Sequence, residues 1–282
     1  MIVLAGVSGR VGSVAAKQLI AGGKKVRVLV RDAAKAQTWQ KGAEVVQVAL
    51  EDVSGLTRAL NGAEGFYTLL PGGGTGGFRA RQKSLGEGIT KAVVDSGVPH
   101  VVLLSSIGAE VDGPSGPILG LHWLENGLRQ TSAKLTAVRA GYFQENVLMS
   151  AQPAREQGIY PSFFPQGAPV PMIGTPDIGK EVARALAEGA TRHSVIDVVG
   201  PTYTPEDTAA ALARVLGRTV NTVYVPPEAQ AGALLQAGMP QDLAELYAEM
   251  HAFFAAGQAA LHGDRKVMGT TTLEETLRSH LS

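Results

Sequence analysis

Residues 1–12, MIVLAGVSGRVG, run an apolar strand, Ile2-Val3-Leu4-Ala5, into three glycines spaced three apart, and then into a helical stretch from Val11 to Ile20. Each glycine has its own physical task in such a turn. The first permits the tight reversal, the second lets the backbone approach a diphosphate, and the third lets the helix pack close against the strand. The helix start then presents N–H groups without intrahelical partners, and a partial positive charge. With a strand on one side and a helix on the other, the stretch predicts a dinucleotide-binding turn made by Gly6, Val7, Ser8, Gly9, Arg10, Val11 and Gly12.

Downstream, the same alternation repeats. Val26–Val30, Glu44–Val48, Gly65–Leu70, Val101–Leu104 and Leu135–Val138 read as strands. Helical stretches lie between several of them, over Ala33–Lys41, from Arg79 to Ser96 with a stop at Gly97, and over Leu119–Gln130. Strands joined by helices imply parallel βαβ units with right-handed crossovers, and near-continuous apolar strands imply a sheet covered on both faces. After Arg139 the rhythm changes. Proline and glycine become frequent between Pro153 and Pro176, and Ser194–Val199 and Val220–Val225 read as later strands. Thr204-Pro205-Glu206-Asp207 and Thr272-Leu273-Glu274-Glu275 read as capped helix starts. Pro240–Ala256 reads as a longer helix whose stripe Leu243, Leu246, Tyr247, Met250 and Phe254 is expected to pack inward. Gly72–Gly77 reads as a glycine-rich loop.

The 282 residues are 45% hydrophobic and 18% charged, enough to bury a sizeable core. Acidic and basic residues balance at 25 each, without the basic footprint of a nucleic-acid binder, so no direct nucleic-acid partner is expected. The chain has no cysteine, which excludes disulfides, thiol catalysis and thiolate metal sites. His100, His193, His251, His262 and His280 show no ligand spacing, so no metal site is expected. Met1 stands directly before the first strand, which predicts no leader peptide. No apolar run approaches the length of a membrane span, and a cytoplasmic location is expected.

In dinucleotide folds the end of the second strand selects the cofactor: a carboxylate there accepts from the ribose hydroxyls, whereas an arginine pairs with a 2′-phosphate. Here the strand ends Val30-Arg31-Asp32. The planar fork of Arg31 suits phosphate. Arg10 and Lys35 add positive charge nearby. Asp32 would favour NAD(H) if it faced the ribose, but as an N-cap for the helix after it, the reading preferred here, it leaves NADP(H) favoured over NAD(H).

Taken in order, the turn GVSGRVG, the strand end VLVRD, and the phrases GAEVVQVALEDVSGLTRALNGAEGFY, AVVDSGVPHVVLLSSIGAE, LHWLENGLRQTSAKLTAVRAGYFQENVL and GTTTLEETL resemble the NmrA-like group of atypical short-chain dehydrogenase/reductases. The resemblance covers nearly the whole chain. It implies an α/β fold: a Rossmann-type doubly wound parallel sheet over residues 1–150, which also takes a later strand near 194–199, with a smaller mixed α/β C-terminal lobe over 151–282 interleaved with it. It also implies NADP(H) lying across the sheet edge. In that arrangement Leu69, Leu70 and Pro71 line the ribose and nicotinamide side, Ser105 borders the cofactor, and Gly141, Tyr142 and Phe143 cover the nicotinamide. His122 occupies the place where many relatives carry a lysine on the nicotinamide ribose.

Short-chain dehydrogenases use a serine with a tyrosine and a lysine four residues apart, the lysine lowering the tyrosine pKa. No tyrosine here has a lysine four residues later, and the expected helix reads Ile118-Leu119-Gly120-Leu121-His122. Isoleucine cannot donate a proton. The serine is present in Ser105-Ser106, and Ser106 reads either as a hydrogen-bond partner for a substrate oxygen or as a strand-end turn residue. His122 reads as a cofactor contact, as a proton donor, or as a residue bonded to backbone or carboxylate. Glu125 reads as a solvated or capping carboxylate, Asn146 as structural, and Tyr142 and Phe143 alternatively as the anchor of the second lobe. A missing general acid disfavours simple ketones, whose alkoxides are strong bases. A quinone is reduced to a phenolate, whose conjugate acid has a pKa of about 10. Two functions follow: an NADPH-dependent oxidoreductase acting on a quinone or activated enone, or a non-catalytic NADP(H) sensor that presents a surface to a protein partner. A sugar-nucleotide epimerase would need the absent pair.

Overall fold

The computed structural model describes residues 1–35, 37–73 and 76–281. The strands of the first half are β1 (Ile2–Leu4), β2 (Val26–Val30), β3 (Glu44–Gln47), β4 (Gly65–Thr68), β5 (His100–Ser106) and β6 (Lys134–Ala140). Then follow β7 (Tyr142–Phe143), β8 (Ile159–Ser162), β9 (Val170–Ile173), β10 (Ser194–Val199), β11 (Thr202–Tyr203), β12 (Asn221–Tyr224) and β13 (Arg265–Met268). The helices are α1 (Arg10–Ala21), α2 (Val53–Leu60), α3 (Phe78–Ser96), α4 (Ile118–Arg129), α5 (Ala151–Gln157), α6 (Thr175–Glu188), α7 (Pro205–Leu216), α8 (Pro227–Gln236), α9 (Gln241–Ala255) and α10 (Leu273–Leu281).

One eight-stranded sheet takes the order β13-β10-β6-β5-β4-β1-β2-β3, and its pairings are parallel. The strand order reverses between β1 and β4, the place where open α/β sheets leave a crevice for a ligand at the strands' carboxyl ends. Alternation along each strand sends side chains to opposite faces. Leu4, Val28, Val138 and Val198 bury against α1 and α6. Val3, Leu29, Leu103 and Leu135 bury against α2, α3 and α4. A separate cluster packs α5, α7 and α10 around Tyr160, Phe164, Leu212 and Leu277. There β9 lies between β7 and β11, and β8 pairs with β12.

Both capped starts form. Thr204 Oγ1 accepts from Asp207 N–H (3.1 Å) while Asp207 accepts from Thr204 N–H (2.9 Å); Thr272 and Glu275 repeat the exchange at 3.2 and 2.7 Å. The expected inward stripe of α9 sets Leu243 and Leu246 against Phe78. The helix expected over Ala33–Lys41 is instead a 3-10 turn, Ala33–Lys35, followed by turns. Among the described residues of that segment Trp39 is the one buried in the core, and Ala36 lies outside the described residues. The reading over Gly72–Gly77 also loses Gly74 and Thr75, outside the described residues. α2, α6 and β13 add to the elements read from sequence. β13 (RKVM) alternates half-buried and exposed residues at the sheet edge, so it carries no apolar run to mark it.

Candidate functional site

The glycine turn is built by close approach. Gly6 adopts φ +63°, and a Cβ there would also lie 2.5 Å from Leu69 Cδ2. A Cβ on Gly12 would lie 2.5 Å from the Gly6 carbonyl oxygen, and one on Gly9 3.2 Å from the same atom. α1 therefore packs on β1 at a separation that only hydrogen at position 12 allows. No side chain caps α1 at Gly9, and no acidic residue stands in its first turn. Ser8, Gly9 and Arg10 are exposed, whereas Val7 and Val11 are buried beneath them. Arg10 Nε donates to His280 Nε2 (3.3 Å), so α10 reaches back to the turn.

Leu69, Leu70 and Pro71 continue β4 and are half-buried beside this turn, Leu69 directly over Gly6. Arg31 lies exposed at the end of β2, on the rim of a cavity of about 570 Å³ that Pro71, Glu51 and Phe78 also line. Asp32 Oδ1 accepts from Ala34 N–H (2.9 Å), so its carboxylate caps the 3-10 turn. Leu50 and Glu51, just beyond β3, share the cavity with Arg31. Sequence reasoning missed them, although their place at a strand's carboxyl end was the available signal.

Glu125 departs from its expected role, and the side chains of Ser105 and His122 are engaged within the protein. Ser105 is buried, and its hydroxyl donates to Glu125 Oε1 (2.6 Å). Glu125 is neither solvated nor a cap. It is 2% exposed and bonds Arg139 through Nε (3.0 Å) and Nη2 (2.8 Å), while Arg139 Nη1 reaches Glu110 (2.7 Å). Burial alone would raise the Glu125 carboxyl; the hydrogen bonds and charge of Arg139, with the Ser105 hydroxyl, outweigh it and hold the group below the usual carboxylate range. His122 does not present a free ring nitrogen. Its Nδ1 meets Ala109 O (2.9 Å) and its Nε2 meets the Asn126 amide (2.9 Å), which pins the loop after β5 to α4. Ser106 donates to Ile107 O (2.9 Å), the strand-end role. Ile118, where a catalytic tyrosine would stand, is buried.

Gly141 follows β6 and bonds Val198 O through its N–H (2.9 Å). The next two residues diverge, as neighbours on a strand must. Phe143 packs with the sheet core on the α1 side. Tyr142 packs with the lobe, edge-on to Phe164 at 5.6 Å between ring centroids. Burial raises the Tyr142 phenol far above its ordinary range, so it stays protonated. Gly141 and Tyr142 border a second cavity, of about 460 Å³ and mostly apolar, walled by Phe164, Phe254 and Met268. The predicted residues thus divide among the glycine turn with Leu69, the Arg31 cavity with Pro71, and the cavity beyond Gly141. Among the described residues no group of three or more His, Asp or Glu is placed to hold a metal ion, and no helix is long and apolar enough to cross a membrane.

Sheet order, glycine cradle and uncapped helix start define a doubly wound α/β protein with the architecture of the dinucleotide binders. The chain belongs to the NmrA-like family, whose profile matches residues 1–276. It is 28% identical to quinone oxidoreductase 2 of Escherichia coli K12, covering 100% of this chain and 98% of that one. It is 29% identical to the NAD(P)H azoreductase of Xenophilus azovorans over 89% of this chain and 86% of that one. Among solved structures, the E. coli NADPH-dependent quinone oxidoreductase complexed with NADPH matches with a TM-score of 0.85 at 25% identity, covering 100% and 99% of the two chains. The Citrobacter triphenylmethane reductase complexed with NADP(H) shares the fold, with a TM-score of 0.84 at 21% identity over 100% of both chains.

Proposed function

We propose that this protein is an NADPH-dependent reductase that transfers a hydride to a quinone or an activated enone. The observation that carries the reading is the cradle at Gly6, Gly9 and Gly12: a Cβ at position 12 would strike the Gly6 carbonyl, and the helix start behind the turn has no capping side chain. That arrangement fits a diphosphate. When bound, the nicotinamide cofactor supplies the hydride. Residues 1–150 hold it and residues 151–282 shape the acceptor side. The N–H groups from Val7 to Gly12 meet the diphosphate, and Arg31 pairs with the 2′-phosphate while Asp32 stays on Ala34 N–H. Leu69, Leu70, Pro71 and Phe143 wall the ring side.

The residue chemistry also favours the acceptor class. Ile118 replaces the proton-donating tyrosine, and both ring nitrogens of His122 are engaged. An acceptor reduced to a weakly basic anion needs no strong protein acid, and a phenolate of conjugate pKa about 10 can take its proton from water. The relatives named above are reductases, which supports catalysis over a sensing role. A cysteine-free reductase drawing on NADPH also fits the cytoplasm. The test is to titrate NADPH, NADP and NADH by fluorescence, then follow NADPH consumption with a panel of quinones. Quinone turnover is expected. Rapid NADP-dependent oxidation of simple secondary alcohols with no quinone reduction would overturn the assignment.

A further inference from the structure

The cavity beyond Gly141 has a chemistry of its own. Its floor is made where strands end: Val199 of β10 and Met268 of β13 are in register, and Gly141 follows β6 beside them. The missing side chain at Gly141 leaves that floor open. A Cβ there would sit 3.5 Å from Pro171 O and 3.7 Å from Ile107 Cδ1, ordinary contact distances, so crowding by the protein does not dictate the glycine. Tyr142, Phe164 and Phe254 supply aromatic walls. A volume of about 460 Å³ is in the range of a small-molecule site, with room for two or three fused rings.

One charged residue, Lys266, lines this apolar space. It is two residues before Met268 on β13 and so on the same face. The charged groups around it are engaged elsewhere, apart from one oxygen of Asp197, whose buried Oδ1 accepts no hydrogen bond among the described residues. Asp197, in register with it on β10, accepts from Gly263 N–H (2.7 Å). Asp264 accepts from Val195 N–H (2.8 Å) and pairs with Arg192 (3.5 Å). Arg265 pairs with Glu181. Lys266 makes no ion pair or hydrogen bond among the described residues.

We propose that this cavity is the acceptor site and that Lys266 selects an aromatic ligand bearing an anionic substituent, a sulfonate, carboxylate or phosphate. The proposal rests on the reductase reading for the word acceptor, but the anion site is tested without turnover. The full chain, saturated with NADP, is titrated by fluorescence with 1-anilinonaphthalene-8-sulfonate and with the neutral N-phenyl-1-naphthylamine. Lys266→Met is expected to weaken the sulfonate about fivefold, the range for an exposed ion pair, and to leave the neutral amine unchanged. The difference should shrink as salt is raised. Gly141→Val, which fills the floor, should weaken both probes. An equal effect of Lys266→Met on both probes, or none on either, overturns the anion site; binding of both probes unmoved by Gly141→Val overturns the cavity. If charge-selective binding persists while no quinone is reduced, the reductase reading fails and the site stands.

Discussion

Arg31 and Gly12 carry separate loads, one electrostatic and one steric. Arg31 is exposed and on the cavity rim, and in the proposed reading it would contribute a charge-assisted contact to a phosphate that NADH lacks. Arg31→Ala should weaken NADPH by roughly 10- to 100-fold, on about 1.5–3 kcal/mol for a charged hydrogen bond, and leave NADH nearly unchanged in paired fluorescence titrations. An equal loss for both cofactors would remove Arg31 from the 2′-phosphate. Gly12→Ala tests the steric half. Its Cβ, 2.5 Å from the Gly6 carbonyl oxygen, forces α1 away from β1. Overpacking of this kind costs about 1–3 kcal/mol, read as a lower urea midpoint, and NADPH affinity should fall with it. A variant as stable and as tight-binding as the parent would mean that the third glycine is incidental.

Elements meet through polar groups as well as apolar faces. Ser105 of β5, Glu125 of α4 and Arg139 of β6 form one buried network, with Glu110 at its end. Charges this deep are stable only together, because each satisfies the other's lost hydration. Glu125→Leu leaves Arg139 buried with Glu110 as its remaining ion-pair partner among the described residues, and should cost about 3–5 kcal/mol in urea denaturation. The double variant Glu125→Leu with Arg139→Met should recover part of that loss. A single-variant loss as small as that of an exposed pair would refute the buried network. α9 shows the same principle nearer the surface. Asp242 accepts from Phe78 N–H at the start of α3 (2.9 Å), and Glu249 accepts from Gly116 N–H (2.8 Å), so the helix straps α3 to the loop after β5.

Taken over the whole molecule, acid sensitivity should come from two buried imidazoles. Burial lowers His100 and His251 to about 4, and His251 is stacked on Phe163 at 4.7 Å. In the unfolded chain both titrate near 6.5. Their contribution to stability is complete above that value. It declines as pH falls toward 4, because the unfolded chain takes up protons that the folded one does not. Unfolding free energy should therefore drop between about pH 6.5 and 4, and His251→Phe should flatten part of the slope; an unchanged slope would show that His251 titrates freely. The glycine turn, the strand–helix rhythm and both capping boxes were legible in the chain because each depends on residues within a few positions of one another. The segment after Val30 departs from the helix expected there because a few helix-tolerant residues without an apolar stripe do not make a helix when, among the described residues, Trp39 is the one that reaches the core. Which way Ser105, His122 and Glu125 point, that β13 closes the sheet, and that Lys266 borders an apolar cavity were decided by tertiary structure alone. Burial and partnership arise between residues far apart along the chain, and local sequence carries no record of which distant groups will remove a side chain from water or answer its charge.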